Sequence, residues 1–253
     1  MISKMAENIE HLKSLYPDFL SRERKKLDLI KDENIRKYHV GFLQWINQDL
    51  ALYSMYIEYD FLKSRQYFSK AAITGEYMVR MYDELMHTSI YKICYALLSD
   101  NSKVIEHYKD LKNTKWDENF LGYQFNTAIQ SVLKDDTATL KKQIEGLKKS
   151  VTKASPKGAK AYAGCVNVFE GLLNKDKTQI ETGISELVKT IGKRDELTLV
   201  KDFFSIETTA LAKLAWRKGF EINVESSFVP KEMLPVNELP EYPGYDFFTE
   251  IGY

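Results

Sequence analysis

Apolar residues recur at intervals of three and four along most of the chain. Phe68, Ala71, Ala72, Tyr77, Met78, Met81 and Tyr82 form one such series, and Ile206, Ala210, Leu214 and Ala215 form another. This spacing gathers each set onto one stripe of an α-helix. No comparable stretch alternates with the period of two that a half-buried strand requires, so the pattern predicts an all-α fold. The prolines agree with it. Pro17 and Pro156 stand alone in the body, whereas Pro230, Pro235, Pro240 and Pro243 crowd into the last 24 residues. Proline removes a backbone donor and interrupts helix interiors, which makes the body helical and the end irregular.

Short polar breaks separate the helical stretches and reveal an internal repeat. Leu98-Ser99-Asp100-Asn101 leads to Ile105 and Leu111, Leu133-Lys134-Asp135-Asp136 to Leu140, Ile144 and Leu147, and Leu173-Asn174-Lys175-Asp176 to Ile180, Ile184 and Leu187. The leucines before the breaks are 35 and 40 residues apart, near the period of two-helix units that stack by burying one another's apolar faces. Helices are expected over 87–98 and 101–113, 118–133 and 136–152, and 157–173 and 177–192, after a longer pair near 33–58 and 61–85. The Trp, Leu-Gly and Tyr positions of a tetratricopeptide repeat are not matched, so both a diverged array of stacked hairpins and an irregular bundle fit. A last helix is expected over 196–219, ending at Gly219, a residue suited to the left-handed stop of a helix.

The chain therefore divides into N-terminal helices over 1–32, a helical-hairpin array over 33–219 and a capping tail over 220–253, all within one domain spanning 1–253. Phe220 to Pro230 reads as a short extended piece. Phe228, Tyr242, Tyr245, Phe247, Phe248 and Tyr253 place six aromatics in the last 33 residues, which suits a Pro- and aromatic-rich tail packed back on the body.

Composition narrows the function classes. With 44% hydrophobic and 13% aromatic residues the chain has ample material for a core, and intrinsic disorder is excluded. The 36 basic residues balance 36 acidic ones, so no global pull toward nucleic acid or anionic membrane arises. No apolar run reaches the ~20 residues of a membrane span, and no signal peptide is recognised at the start. Cys94 and Cys165 form neither a disulfide framework nor a metal spacing; together these features suggest a reducing cytoplasm. Charge is uneven locally. Ile129 to Lys201 carries 14 basic against 9 acidic residues, while Glu221 to Tyr253 carries one lysine against 7 acids. An acidic surface of this kind would favour encounter with a basic partner.

Chemistry is sparse. None of His11, His39, His87 and His107 sits in a zinc motif, and no glycine-rich phosphate loop occurs. Asp83, His87 and Cys94 superficially suggest a Cys-His-Asp set, but along one helix they form a row too widely spaced to relay protons. The aromatic stripe Tyr53, Tyr56, Tyr59, Phe61, Tyr67 and Phe68, continued by Tyr77 and Tyr82, reads as core. No catalytic residue, cofactor or metal is expected.

The stretch Phe203-Phe204-Ser205-Ile206-Glu207-Thr208-Thr209-Ala210-Leu211-Ala212-Lys213-Leu214-Ala215-Trp216-Arg217-Lys218-Gly219-Phe220, followed by Val229-Pro230-Lys231-Glu232-Met233-Leu234-Pro235, resembles the immunity protein 49 family. It combines a small-residue helix, a basic-Gly stop, a connector and a Pro-x-x-x-Leu motif. A related ending occurs in helical immunity proteins against PoNe-type DNase toxins. The resemblance implies a non-enzymatic, cytoplasmic, all-helical antidote that binds a cognate bacterial polymorphic toxin by stoichiometric occlusion, with no direct contact to nucleic acid or membrane. A nuclease toxin would present a basic substrate-binding face, and the tail residues Glu238, Glu241, Tyr242, Tyr245 and Asp246 are the expected contacts. A helical-repeat module that binds proteins or peptides in regulation is the alternative. A helical enzyme built on His39, His87, Asp83 and Glu58 is a more distant one.

Overall fold

The computed structural model describes residues 4–86, 90–114, 118, 120–194 and 199–253. Among these residues the regular structure is helical throughout. The α-helices are α1 (Lys4–Leu29), α2 (Arg36–Tyr53), α3 (Phe61–Tyr82), α4 (Tyr91–Ser99), α5 (Ser102–Asp110), α6 (Leu121–Leu133), α7 (Thr137–Lys153), α8 (Pro156–Asn174), α9 (Lys177–Lys189), α10 (Ile191–Arg194) and α11 (Ile206–Arg217). Among the described residues before residue 33 there is one helix, Lys4–Leu29, with Pro17 inside it, and α2 runs on into a π turn at Ser54–Glu58.

The turns follow one local rule. Asp100, Asp135 and Lys175 all adopt left-handed backbone, with φ of 58°, 56° and 56°, and each is followed by a residue whose side chain caps the next helix. Asn101 accepts from the Val104 amide at 3.3 Å, Asp136 from Thr139 at 3.0 Å and Asp176 from Gln179 at 3.1 Å. One residue reverses the chain and the next satisfies an orphan helix donor. The same device opens α3, where Tyr59 takes φ 55° and Asp60 accepts from the Lys63 amide at 2.8 Å.

Successive helices joined by these turns pack side by side: α2 on α3, α6 on α7 and α8 on α9, with α7 bridging to α8. The α8–α9 contact depends on glycine. A Cβ at Gly183 would lie 2.6 Å from the Gly164 carbonyl oxygen, and one at Gly164 would lie 2.5 Å from that of Gly183. The two backbones touch where side chains would hold them apart.

The last helix differs from expectation in extent. Residues 195–198 lie outside the described residues, Phe203 and Phe204 are not helical, and α11 begins only at Ile206. Ser205 caps it, while the Ser205 amide donates to the Phe228 carbonyl at 2.9 Å and so ties the start of α11 to the tail. Phe203 and Phe204 are buried, with ring centroids 5.3 Å from Tyr56 and 5.9 Å from Phe68. Every residue from Ile206 to Ala215 is buried, and the helix packs on both α4 and α9. A helix covered on all sides lies in the interior; α11 is an inner strut for the hairpins.

Two charged residues enter that interior on α11, and both are paired. Glu207 meets Arg194 at 3.1 Å, each with about 1% of its side chain exposed. Arg194 also donates to the carbonyls of Ala161 and Leu187 at 3.1 and 2.8 Å, and to the Thr208 hydroxyl at 2.9 Å. At the other end Asp100, with none of its side chain exposed, takes three cations: Lys213 at 2.7 Å, Arg217 at 2.9 Å and Arg65 at 3.0 Å. The Asn237 amide donates to it at 3.0 Å. Burial, opposed by Asp100 and reinforced by Arg65, pulls the Lys213 ammonium down to about 8.

The surplus of cations at Asp100 is met by carbonyls of the tail. Lys213 donates to Met233 and Pro235 at 2.5 and 3.0 Å, and Arg65 to Glu232 at 2.9 Å. The tail, where no strand forms among the described residues, then runs over α4, α5 and α3. Tyr77 donates to Glu250 at 2.6 Å, Arg36 pairs with Glu250, and the Tyr253 hydroxyl donates to the fully buried Glu76. Met233, Leu234, Phe247 and Phe248 are buried against the main core.

Two measurements check this account. Gly183→Ala should lower stability by about 1–3 kcal/mol in urea unfolding, although alanine is the better helix former, because its Cβ meets backbone that cannot rotate away. Asp100→Asn and Asp135→Asn both keep a side chain that tolerates left-handed backbone. Asp100→Asn should cost about 3 kcal/mol or more, since it leaves buried cations without their counter-charge. Asp135→Asn, which loses only the solvent-facing pair with Lys218, should cost less than about 1 kcal/mol.

Candidate partner-binding surfaces

The five tail residues expected to meet a partner take up unlike positions. Glu241 and Asp246 are exposed. Glu238 is exposed too, but its carboxylate accepts from the backbone amide of Ser102 at 3.2 Å and from the Ser102 hydroxyl, at the first residue of α5. This is a capping role, favourable at a helix N-terminus. Tyr242 is half-buried: its hydroxyl donates to the Ser99 carbonyl at 3.0 Å and accepts from the Leu239 amide at 3.0 Å. Burial pushes that phenol up to about 12. The Tyr245 hydroxyl lies against Glu23 and accepts from Asn47 at 2.9 Å, with Lys70 4.9 Å above the ring. Desolvation, then the Glu23 charge, drives this phenol well above its ordinary range. Both tyrosines fasten the tail from inside, and the solvent-facing acidity of the set belongs to its carboxylates.

A second surface lies on α2. Tyr38, Phe42 and Trp45 recur at i, i+4 and i+7, which stacks them on one face of the helix, and they are 64%, 37% and 37% exposed. The opposite side of α2 is buried through Val40, Leu43, Ile46, Leu50 and Ala51. A groove of about 790 Å³ lies on one side of this ridge, with Gly41, Met78, Tyr91 and Lys92 in its wall. A depression of about 490 Å³ lies on the other, against Arg22, Lys25 and Lys26 of α1. Phe42 and Trp45 line both. Lys26 sits 4.2 Å over the Phe42 ring and 3.1 Å from His39 Nδ1. Burial, with the nearby charges of Lys26 and Lys25, lowers the pKa of His39, which suits a neutral ring accepting from the ammonium.

The earlier aromatic stripe is only partly core. Phe68 and Tyr77 are buried, whereas Tyr59 is 76% exposed at its left-handed turn position. The ridge on α2 was missed because the buried face of that helix also carries Gln44, Asn47 and Gln48, which blurs the contrast between an inner and an outer side. The 38–42–45 spacing of the large aromatics was the available signal.

Most of the described groups considered for chemistry are occupied in structural contacts. No set of three or more His, Cys, Asp or Glu able to hold a metal ion occurs among the described residues. Cys94 and Cys165 are buried. The Cys165 thiol lies 3.1 Å from Glu207, and burial, then that carboxylate, pushes it well above the ordinary thiol range, which disfavours the reactive thiolate. Asp83 accepts from the Thr114 amide at 3.0 Å and from Asn113 at 3.3 Å; His87 lies outside the described residues. Glu58 pairs with Lys63 at 2.8 Å. No helix among the described residues is long and apolar enough to cross a membrane.

No curated protein and no solved structure matches the chain. The family model for immunity protein 49 matches residues 65–233. That span runs from Arg65 through Asp100 to Lys213, Arg217 and Met233, and so encloses the buried ionic cluster; α2 and the distal tail lie outside it. A match over more than half of the 253 residues, on an all-helical scaffold built around the helix that carries the resemblance, makes this chain a member of the immunity protein 49 family.

Proposed function

We propose that the protein is a cytoplasmic antidote that binds a cognate bacterial polymorphic toxin domain and neutralises it by stoichiometric occlusion. The observation that carries this is membership of the immunity protein 49 family. The side chains support a binding role: among the described candidate catalytic groups Asp83, Glu58 and His39 are engaged in structural bonds, while aromatic and acidic groups face solvent. An antidote of this kind acts by excluding substrate from the toxin, and pairs of this type can reach some of the tightest non-covalent affinities known.

Occlusion and catalytic inactivation differ in stoichiometry. Titrating the purified protein into the toxin domain encoded beside it should abolish toxin activity at one equivalent, with a 1:1 complex by size-exclusion chromatography and light scattering. Inactivation at a small fraction of an equivalent would instead reveal an enzyme.

If the toxin is a nuclease, its substrate face is basic, and of the five expected contacts Glu241 and Asp246 are the exposed carboxylates without a capping role. The double reversal Glu241→Lys, Asp246→Lys should slow association and weaken binding by roughly tenfold at low salt, with the difference shrinking as salt rises. Unchanged association rates across a salt series would remove this acidic patch from the interface. Glu238→Lys is a poorer probe because it also uncaps α5.

A further inference from the structure

We infer that the α2 ridge of Tyr38, Phe42 and Trp45 is the surface that grips the toxin, and that the toxin face seated there presents an apolar side chain ringed by carboxylates. The inference rests on the antidote function proposed above and adds to it a site and the chemistry of its occupant.

Three features of the surface support it. Large aromatics are among the side chains that carry most binding energy at protein interfaces, because they bury much area with little loss of rotamer freedom. Here three of them share one helix face and flank depressions of about 790 and 490 Å³, which can receive side chains from a partner. The ridge stands on a rigid support, since α2 is buried on its other side and packs against both α1 and α3. A partner therefore meets a preformed shape and orders little on binding.

Charge specifies the occupant. The two depressions are lined by Arg22, Lys25, Lys26, Lys37 and Lys92, against only Asp49 and Glu84. Lys92 and Glu84 pair with each other at 3.1 Å, Arg22 pairs with Asp18 at 2.7 Å, and Asp49 accepts from Gln48 at 3.3 Å, so the excess rests on Lys25, Lys26 and Lys37. Lys25 and Lys37 are exposed on opposite sides of the ridge. On a chain with equal numbers of acidic and basic residues, this local excess of cations around an apolar centre complements carboxylates around an apolar side chain. The acidic tail calls for the opposite sign, so the two surfaces are separable by experiment.

The test uses the full-length protein and the catalytically inactivated toxin domain encoded beside it, with affinity read by calorimetry and protection by toxin activity. Phe42→Ala with Trp45→Ala should weaken binding at least a hundredfold. Because that pair could loosen α2, Gly41→Glu provides a second route. A Cβ at Gly41 meets only Met78 Cε at 3.6 Å, and leaving glycine favours a helix interior, so this variant should fold and fill the groove with a like-charged carboxylate. It should also lose binding at least a hundredfold while its unfolding midpoint stays at or above that of the wild type. Lys25→Glu with Lys37→Glu should slow association in low salt. If Gly41→Glu and the double alanine variant both bind within twofold of wild type, the ridge is not the toxin site, while the antidote function stands on the wild-type complex. If wild type itself neither binds nor neutralises the domain, both proposals fall. Co-sedimentation with phosphatidylserine vesicles, lost in Phe42→Ala/Trp45→Ala with toxin affinity unchanged, would reassign the ridge to a membrane surface.

Discussion

The fold is organised by charges placed where charges are costly. Helix α11 is buried along nearly its whole length, yet it carries Glu207 and Lys213 into the interior. Each is tolerated only with its partner in place: Arg194 for Glu207, and Asp100 for Lys213. The partners come from remote parts of the chain. Arg194 follows α9, Asp100 ends α4, and Arg65, which shares Asp100, lies in α3. An α11 that slid by one turn would strand buried charges at both ends. Hydrophobic burial alone would accept several registers of such an Ala- and Leu-rich helix; the two ionic clusters select one.

The Asp100 cluster also explains why the tail is ordered. One carboxylate faces three cations, so donors remain that need acceptors, and these are the carbonyls of Glu232, Met233 and Pro235. Proline favours extended backbone at the preceding residue and has no amide of its own to satisfy, which leaves tail carbonyls available to point inward. A segment whose only regular structure is two short 3-10 turns, Lys231–Met233 and Asp246–Ile251, is thus held by side chains of the helical body, and the Asn237 amide closes the circuit on Asp100.

Much of the helical plan was legible in the sequence because the turns are local. Residues 98–101, 133–136 and 173–176 carry their own instructions, a residue that tolerates left-handed backbone followed by a capping side chain, and the structure uses them identically. The position of α11 was not legible. Its apolar stripe indicates that it buries one face, but whether it caps an array or runs through its interior depends on Arg65, Asp100 and Arg194, which are distant in sequence. The start of the helix was misjudged for a related reason: Phe203 and Phe204 fit a helical apolar pattern, but Ser205 is tied to Phe228 by a bond that periodicity cannot express.

The same asymmetry governs the candidate site. Composition revealed the acidity of the tail, but it could not separate exposed carboxylates from tyrosines whose hydroxyls bind inward to Ser99, Glu23 and Asn47. An aromatic in a sequence is ambiguous between anchor and core until its neighbours are known, and in α2 the neighbours misled because several buried positions are polar. Once the core is assigned, Tyr38, Phe42 and Trp45 are seen as three large apolar groups on one helix face that the fold leaves partly exposed, beside the Lys26 cation. The scaffold needs Asp100 and its partners to exist at all, and that requirement confines change there. The exposed face of α2 carries no comparable buried charge, so its side chains are less constrained by the scaffold.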